Sequence, residues 1–353
     1  MPKSSVAERA PKGNSTGARF GLSEARSVNE PRRRGFVDLH LVFVLVIVLS
    51  TTACGSVGTQ STSQSTHNGS ERPQAEPLTA SAEDYERAQF DDPTHIDNKW
   101  LPLKPGTQWV IEGSSIRGGG EREVREEHRI VETVTDLTKV VDGVRTVVMY
   151  DEDWHEGELL EPEVRFHAQD NDGNVWHFGQ YREEYEDGKL VEPLGWVPGQ
   201  RGARAGISMP AEPRPGTPSY AQGYAPPPVT WNDRARVYKT GQRTCTPVEC
   251  YKNVLVTEEF EPSIKGAFQL KYYAQGVGNV RIGWRGKKEE ERETAVLVKV
   301  RQLSPEAMAK IREKAIELDR RGYEQPGRVG PFWQYTKEVY RHTQPVEHTL
   351  RVE

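Results

Sequence analysis

The sequence predicts a mainly β fold, a curved antiparallel sheet or half-barrel with a covering helix near the C terminus. From about position 84 to 303, short segments that alternate polar and apolar residues recur between turn residues, which is the pattern of half-buried strands. After Leu303 the period becomes helical. Ser304 is a favourable N-cap, Pro305 is a favourable first helical residue, and Gly322 is expected to end the helix.

Three Asp-Gly pairs predict hairpins within this sheet. Asp142-Gly143, Asp172-Gly173 and Asp187-Gly188 each lie between candidate strands, and glycine accepts the positive φ that tight hairpin turns require. The segments predicted as strands are 107–112, 129–135, 144–150, 174–178, 237–238, 253–257, 269–273 and 295–300.

The hairpin around Asp172-Gly173 has two possible registers. If residues 171–173 form a three-residue loop, His167 lies opposite His177 on one face, close enough for both to bind one metal ion. If Asp172-Gly173 alone forms the turn, His167 pairs with Phe178 and the histidines point to opposite faces. The sequence leaves both registers open.

No metal site is predicted here, because two histidines without a third ligand do not make one. The spacing of Asp170, Asp172 and Asn174 resembles the start of a calcium loop, but it lacks the glycine at the sixth position and the glutamate at the twelfth. A hairpin turn is the favoured interpretation. Any metal would have to be built from His167, His177, Asp170 and Asp172.

The segment 196–231 is rich in glycine and proline and includes the run 226–228. Proline cannot donate to a strand ladder, so this segment is predicted to be a long ordered loop, or flap, instead of sheet. Long loops on a rigid sheet often carry function.

The N-terminal region indicates export. Arg32, Arg33 and Arg34 precede a short apolar run, and Ala53-Cys54 matches the site at which bacterial lipoproteins are cleaved and lipidated. An uncleaved anchor and a plain secretory signal are alternatives, and the export route and true start codon stay open. The predicted organisation is an export signal at 1–53, lipidated Cys54 with a polar tether to 83, a β-rich domain at 84–303, and a helix and tail at 304–353.

Net charge and cysteine content indicate which partners are disfavoured and whether a disulfide forms. The chain has a formal net charge of −5, and residues 1–40 hold eight Lys/Arg against four Asp/Glu, so the remainder is near −9. That sign disfavours nucleic acid as a partner. Apart from Cys54, only Cys245 and Cys250 remain, and a disulfide is expected between them in an exported protein.

Five ordered blocks resemble a family of uncharacterised bacterial exported proteins. The resemblance implies one β-rich domain and no established activity. The last block is also similar to one in exported proteins of the LolA-like type, which implies a curved sheet around an apolar cavity. This chain departs from the family at Phe166-His167, His177 and Gln180, where Trp-Tyr, Tyr and an acid are usual. The blocks are 92–98, 102–107, 166–179, 202–210 and 271–278.

The leading functional hypothesis is a membrane-anchored, non-enzymatic envelope lipoprotein that binds an apolar small molecule, a lipid or an envelope partner. No complete catalytic motif is present, and no cofactor is predicted. The alternative is an extracytoplasmic hydrolase with its site under the 196–231 flap, where Ser208, Asp170 and the histidines would be the groups to consider. The aromatic residues proposed to line the ligand pocket are Trp176, Phe178, Trp196, Tyr272 and Tyr273.

Overall fold

The computed structural model describes residues 85, 88–117, 123–227, 229–290, 292–324 and 344–345. The predicted export signal, Cys54 and the tether lie outside these residues, as does most of the predicted C-terminal tail. Within the described ranges, no helix is both long enough and apolar enough to cross a bilayer.

The main feature is an open antiparallel sheet, which confirms the predicted fold class. Its strands follow the order β6-β5-β4-β3-β2-β1-β13-β12-β11-β10-β9-β8, with β7 paired to β5 and β14 paired to β2. The strands are β1 (Thr107–Arg117), β2 (Val124–Val141), β3 (Val144–His155), β4 (Glu158–Gln169), β5 (Val175–Glu186), β6 (Lys189–Trp196), β7 (Gly206–Met209), β8 (Tyr220–Ala221), β9 (Arg234–Cys245), β10 (Cys250–Phe260), β11 (Phe268–Ala274), β12 (Gly278–Arg285), β13 (Thr294–Gln302) and β14 (Gln344–Pro345).

The strands are longer than the sequence pattern indicated, and several were not among the predicted segments. One of these, β6, contains Pro193, which the sheet accommodates because β6 is an edge strand. Another, β4, carries Glu161, Glu163 and Arg165 along one face. These charged residues make the strand look exposed in the sequence, so the pattern did not predict it.

The hairpin turns follow the local chemistry. At Asp142-Gly143 and Asp187-Gly188 both residues have positive φ, as two-residue hairpin turns require. Asp172-Gly173 differs. The amide of Asp170 donates to the carbonyl of Asn174 at 3.0 Å, so residues 171–173 form a three-residue loop, and His167 pairs with His177.

The helix α1 (Pro305–Glu324) begins where the sequence predicted. The amide of Ala307 donates to the Ser304 hydroxyl at 3.3 Å, as expected for an N-cap. The predicted end at Gly322 was wrong, because the helix continues through this residue. A Cβ at Gly322 would lie 3.2–3.3 Å from the ring of Tyr181, so this glycine allows the helix to approach the sheet closely.

The helix covers one face of the sheet. Ala315 and Leu318 of α1 are buried in a cluster with Val164, Phe166 and other side chains of β2 to β5. The opposite face curves inward, because strands as far apart in the sheet order as β4 and β11 contribute side chains to one cavity. We call this opposite face the concave face.

A β-bulge in β5 determines which of its side chains reach the concave face. His167 pairs with His177 but Arg165 pairs with Gln180, so β5 has one extra residue at this point. Gly179 lies there with φ +95, and a Cβ would lie 2.0 Å from the carbonyl oxygen of Trp196. The bulge therefore brings both His177 and Gln180 to the concave face.

The predicted flap is mostly irregular, as expected, but it also contains the short strands β7 and β8. Val175 of β5 pairs with Met209 of β7, and β8 pairs with β9. An isolated antiparallel β-bridge between Arg204 and Tyr224 connects two parts of the flap. The expectation that the flap would contain no sheet was wrong, because its non-proline stretches pair with the free edges of β5 and β9.

Candidate functional site

A cavity of about 480 Å³ lies on the concave face, under the flap. Its lining is strongly polar. Charged side chains come from both halves of the sheet, and Ser208, Gln222 and Trp231 come from the flap. The charged and imidazole residues in the lining are Glu132, Glu161, Glu163, Arg165, His167, His177, Arg182, Asp233, Glu259 and Lys271.

Arg165 is the centre of a charge network in the wall of the cavity. Its guanidinium donates to Asp151 at 2.5 Å and to Glu132 at 2.8 Å, and it lies 3.6 Å from Glu163. Asp151, Glu132 and Arg165 come from three adjacent strands, so the network links β2, β3 and β4 through their side chains. Arg182 forms a second ion pair with Glu161.

The carboxylates of this wall are crowded. Burial raises the pKa of Glu163, and the charges of Glu161 and Asp151 raise it further, whereas Arg165 opposes the shift. Burial also raises the pKa of Asp151, against the effect of Arg165. A carboxyl group held partly protonated near neutral pH can donate a hydrogen bond or a proton, so this wall is a candidate for recognition or chemistry.

A second acidic pair lies across the cavity. Asp233 and Glu259 form no ion pair within the described part of the chain. Burial raises the pKa of Asp233 to about 6, and Glu259 and Glu261 contribute to this by repulsion. The whole lining contains five carboxyl groups and three cationic side chains, so the formal charge of the cavity is negative when the carboxyl groups are ionised.

The two stacked histidines lie in the lining as neutral groups. Their ring centroids are 5.3 Å apart and the rings are nearly parallel, at 16°. Burial lowers the pKa of His167 well below its usual value, and His177 and Arg165 lower it further. Burial and Arg165 lower the pKa of His177 to about 4, although hydrogen bonds to the carbonyls of Gln222 and Gly179 oppose this.

Three buried polar atoms of the lining have no protein hydrogen-bond partner among the described residues. They are Nδ1 of His167, Nε2 of His177 and the indole nitrogen of Trp231. A buried donor or acceptor without a partner costs on the order of 1–3 kcal/mol. A polar ligand or water in the cavity would recover this cost.

Gln222 joins the flap to both walls of the cavity. Its carbonyl oxygen lies 3.0 Å from Nδ1 of His177, and its side-chain amide donates to Glu259 at 3.1 Å. The backbone amide of Gln222 donates to the backbone carbonyl of Asp233 at 2.8 Å. The flap is therefore held over the cavity by polar contacts, which a ligand could compete with.

The structure separates the five aromatic residues that the sequence suggested as a pocket. Tyr273 lines the cavity. Trp176 and Phe178 lie on the opposite face, in the cluster that packs under α1. Trp196 is the centre of a small cluster within the flap, and Tyr272 packs at the edge of the largest core cluster.

Asp170 and Asp172 have structural positions in the hairpin loop. The carboxylate of Asp170 accepts hydrogen bonds from the amide of Asn174 at 2.8 Å, from its side chain at 2.9 Å, and from the indole of Trp176 at 2.7 Å. Asp172 is exposed at the tip of the loop. The hairpin has the register with a three-residue loop, which places His167 opposite His177. Neither Asp170 nor Asp172 lies with the two histidines.

Three of the five blocks that carry the family resemblance, 92–98, 166–179 and 202–210, meet in space. The side-chain amide of Asn98 donates to the carbonyls of Gly173 at 2.9 Å and Pro210 at 3.3 Å, and its oxygen accepts from the amide of Trp100 at 2.9 Å. One asparagine from the first block thus ties together the hairpin loop and the flap, which gives these blocks a structural role.

The disulfide between Cys245 and Cys250 is present and closes the β9–β10 hairpin, as the sequence predicted. Ser208 lies in the lining, but no hydrogen bond joins its hydroxyl to a histidine within the described residues. The nucleophile–base contact expected of a serine hydrolase is not formed there.

Sequence reasoning missed the group of described side chains best placed to hold a metal ion, which is His128, Asp153 and His155. His128 and His155 lie 27 residues apart, on different strands. The available signal was the pair Asp153-x-His155, because residues two apart on a strand share a face.

Comparison with known proteins adds little about activity. No family model matches the chain, and no curated protein matches it. Two crystal structures are similar in part: a protein assigned to export, with a YmcC-like fold, from Bacteroides fragilis, and a protein assigned as a lipoprotein from Parabacteroides distasonis. Each shares 12% sequence identity with this chain, at a TM-score of 0.33. Each alignment covers 58% of this chain, and it covers 99% of the Bacteroides fragilis protein and 100% of the Parabacteroides distasonis protein. The proposals below therefore rest on this chain's own sequence and structure.

Proposed function

We propose that this protein is an exported binding protein whose cavity takes a small, polar, positively charged organic molecule, such as an amine or an amino sugar. The observation that carries the proposal is the acidic lining of the cavity, with Asp233 and Glu259 free of ion pairs on one side and the crowded Glu161 and Glu163 on the other. The export signal and Cys54 support a membrane-tethered location.

The lining favours a polar ligand over the apolar one suggested by the aromatic content. Charged groups can be held in such a wall only if they keep hydrogen-bonding partners, and a lipid chain would bury them without any. A cation would instead relieve the repulsion between Asp233 and Glu259. The partnerless atoms of His167 and Trp231 provide further hydrogen bonds for a polar ligand.

The test is isothermal titration calorimetry of the full-length protein with four probes: a linear diamine, glucosamine, glucose and a medium-chain fatty acid. We expect the two amines to bind and the fatty acid not to bind. The double variant Asp233→Asn/Glu259→Gln should weaken amine binding by at least about tenfold, because each lost charge contact is worth on the order of 1 kcal/mol or more.

Glu313→Gln is the matched control, since Glu313 is exposed on α1 and far from the lining. It removes one negative charge without touching the cavity, so it should leave amine affinity unchanged. If the fatty acid binds and the amines do not, the lining is not the ligand site and the proposal fails. Equal loss of affinity in the control would show that only net charge matters.

A hydrolase is the second candidate, and the raised pKa of Glu163 beside Glu161 favours it. Burial raises the pKa of Glu161 as well, so the two carboxyl groups can share one proton, and such a pair can act as acid and base on one bond. The full-length protein should then cleave chromogenic glycosides or esters, and Glu163→Gln should abolish the activity. Retained activity in Glu163→Gln would exclude this role for Glu163.

A further inference from the structure

His128, Asp153 and His155 form a compact cluster on β2 and β3. His128 pairs directly with His155 across the two strands, and Asp153 lies two residues before His155 on the same face. Nε2 of His128 is 2.6 Å from a carboxylate oxygen of Asp153, and Nε2 of His155 is 3.3 Å from the same oxygen. The two rings have centroids 4.4 Å apart.

These separations are near those of metal ligands. Two imidazole nitrogens and a carboxylate oxygen bound to one Zn²⁺ at about 2.0–2.2 Å in a tetrahedron lie ~3.3 Å from each other. The distance from His155 to Asp153 already has this value. The contact of His128 with Asp153 is a hydrogen bond and would have to lengthen by ~0.7 Å to admit the ion.

A second carboxylate contacts the other nitrogen of each ring. Nδ1 of His128 lies 3.2 Å from Glu293, and Nδ1 of His155 lies 3.2 Å from Glu126. Metal-binding histidines commonly donate their other ring N–H to a carboxylate, which fixes the tautomer and turns the free nitrogen toward the ion. Glu126 therefore turns Nε2 of His155 toward Asp153, and Nε2 of His128 already contacts the same carboxylate oxygen.

We propose that His128 and His155, through Nε2, and Asp153, through its carboxylate, bind one divalent transition-metal ion of the zinc class. Imidazole and carboxylate suit such ions, and three protein ligands leave a coordination position for water or a ligand atom. The side chain of Asp153 is 30% exposed, so an ion can reach the cluster.

The site lies on the same sheet face as the cavity. His128 precedes Glu132 of the lining by four residues on β2, and Asp153 follows Met149 of the lining by four residues on β3. An even spacing along a regular strand keeps side chains on one face. Asp153 also pairs with Glu161 of the lining, so the ion would sit next to the cavity wall.

The test uses full-length protein freed of metal with a chelator, then titrated with Zn²⁺ by calorimetry and with Co²⁺ by visible absorption. We expect one tight site per chain and the intense d–d absorption of four-coordinate Co²⁺. His128→Ala and Asp153→Asn should abolish that absorption. Glu126→Gln, which alters only the carboxylate that contacts Nδ1 of His155, should weaken Zn²⁺ binding by about 10–100-fold.

His95→Ala is the matched control, because His95 is exposed and lies outside the cluster. It should bind Zn²⁺ with unchanged affinity. X-ray absorption of the zinc-loaded wild type provides a readout that needs no variant, and it should show two imidazoles on the ion. Absence of imidazole scattering, or wild-type binding by folded His128→Ala, would overturn the proposal and identify the cluster as an ion-pair network only.

Discussion

The first prediction concerns Lys139, whose buried ion pair attaches the helix α1 to the sheet. Its side chain is completely buried on β2, where Nζ donates to Asp319 of α1 at 2.6 Å and to the hydroxyl of Tyr323 at 2.8 Å. The ammonium also lies 5.2 Å from the centroid of the Phe166 ring. Burial lowers the pKa of Lys139 to about 7, although the charge of Asp319 opposes this shift.

The perturbation is Lys139→Met, which keeps the apolar stem and removes the charge. The carboxylate of Asp319, whose side chain is only 10% exposed, then loses its buried cationic partner. Breaking a buried ion pair from one side costs about 3–5 kcal/mol, because the remaining charge stays desolvated. We therefore expect the free energy of unfolding to fall by about that amount.

The assay is urea unfolding followed by tryptophan fluorescence, with the double variant Lys139→Met/Asp319→Leu as the decisive comparison. Replacing both partners with apolar residues is often neutral or stabilising, so the double variant should recover to within about 1 kcal/mol of the wild type or exceed it. Lys310→Met, at an exposed position of α1, is the control and should change stability by less than about 0.5 kcal/mol.

A loss of less than about 1 kcal/mol in Lys139→Met would refute this reasoning, since no buried pair would then have been broken. A double variant as unstable as the single one would also refute it. In that case the stem of Lys139, and not its charge, would account for the attachment.

Three further predictions concern other parts of the chain. Amine affinity should increase from pH 5 to pH 7, because the pKa of Asp233 is raised to about 6 and only its ionised form attracts a cation; calorimetry across this range should show the rise, and Asp233→Asn should flatten it. Removing the disulfide with Cys245→Ser/Cys250→Ser should lower the free energy of unfolding by about 2 kcal/mol, the loop-entropy value for so short a loop; an unchanged urea midpoint would contradict this. Cys54→Ala should yield protein without acyl chains, and intact-mass analysis finding none on the wild type would disprove lipidation.

Features set by neighbouring residues could be predicted from the sequence. The turns at Asp142-Gly143 and Asp187-Gly188, the start of α1 at Pro305, and the Cys245–Cys250 disulfide all depend on a few residues close together in the chain. Turn, capping and loop-closure energies act over such distances, so the pattern alone carries them.

Features set by pairing between strands needed the structure. The register of the hairpin at Asp172-Gly173 depends on which carbonyl the Asp170 amide reaches, and both choices satisfied the sequence pattern. The bulge at Gly179 then shifts the alternation of β5 by one residue, so Trp176 and Phe178 face the helix while Gln180 faces the cavity. A one-residue shift reverses every side chain that follows it.

The fold class, the start of the helix and the disulfide could be predicted without the structure, because periodicity and short-range chemistry encode them. The acidic cavity and the meeting of His128 with Asp153 and His155 could be found only in the folded chain, because curvature of the sheet and cross-strand register bring together residues that are distant in sequence. Aromatic content indicated large apolar area but could not indicate which face of the sheet would bury it.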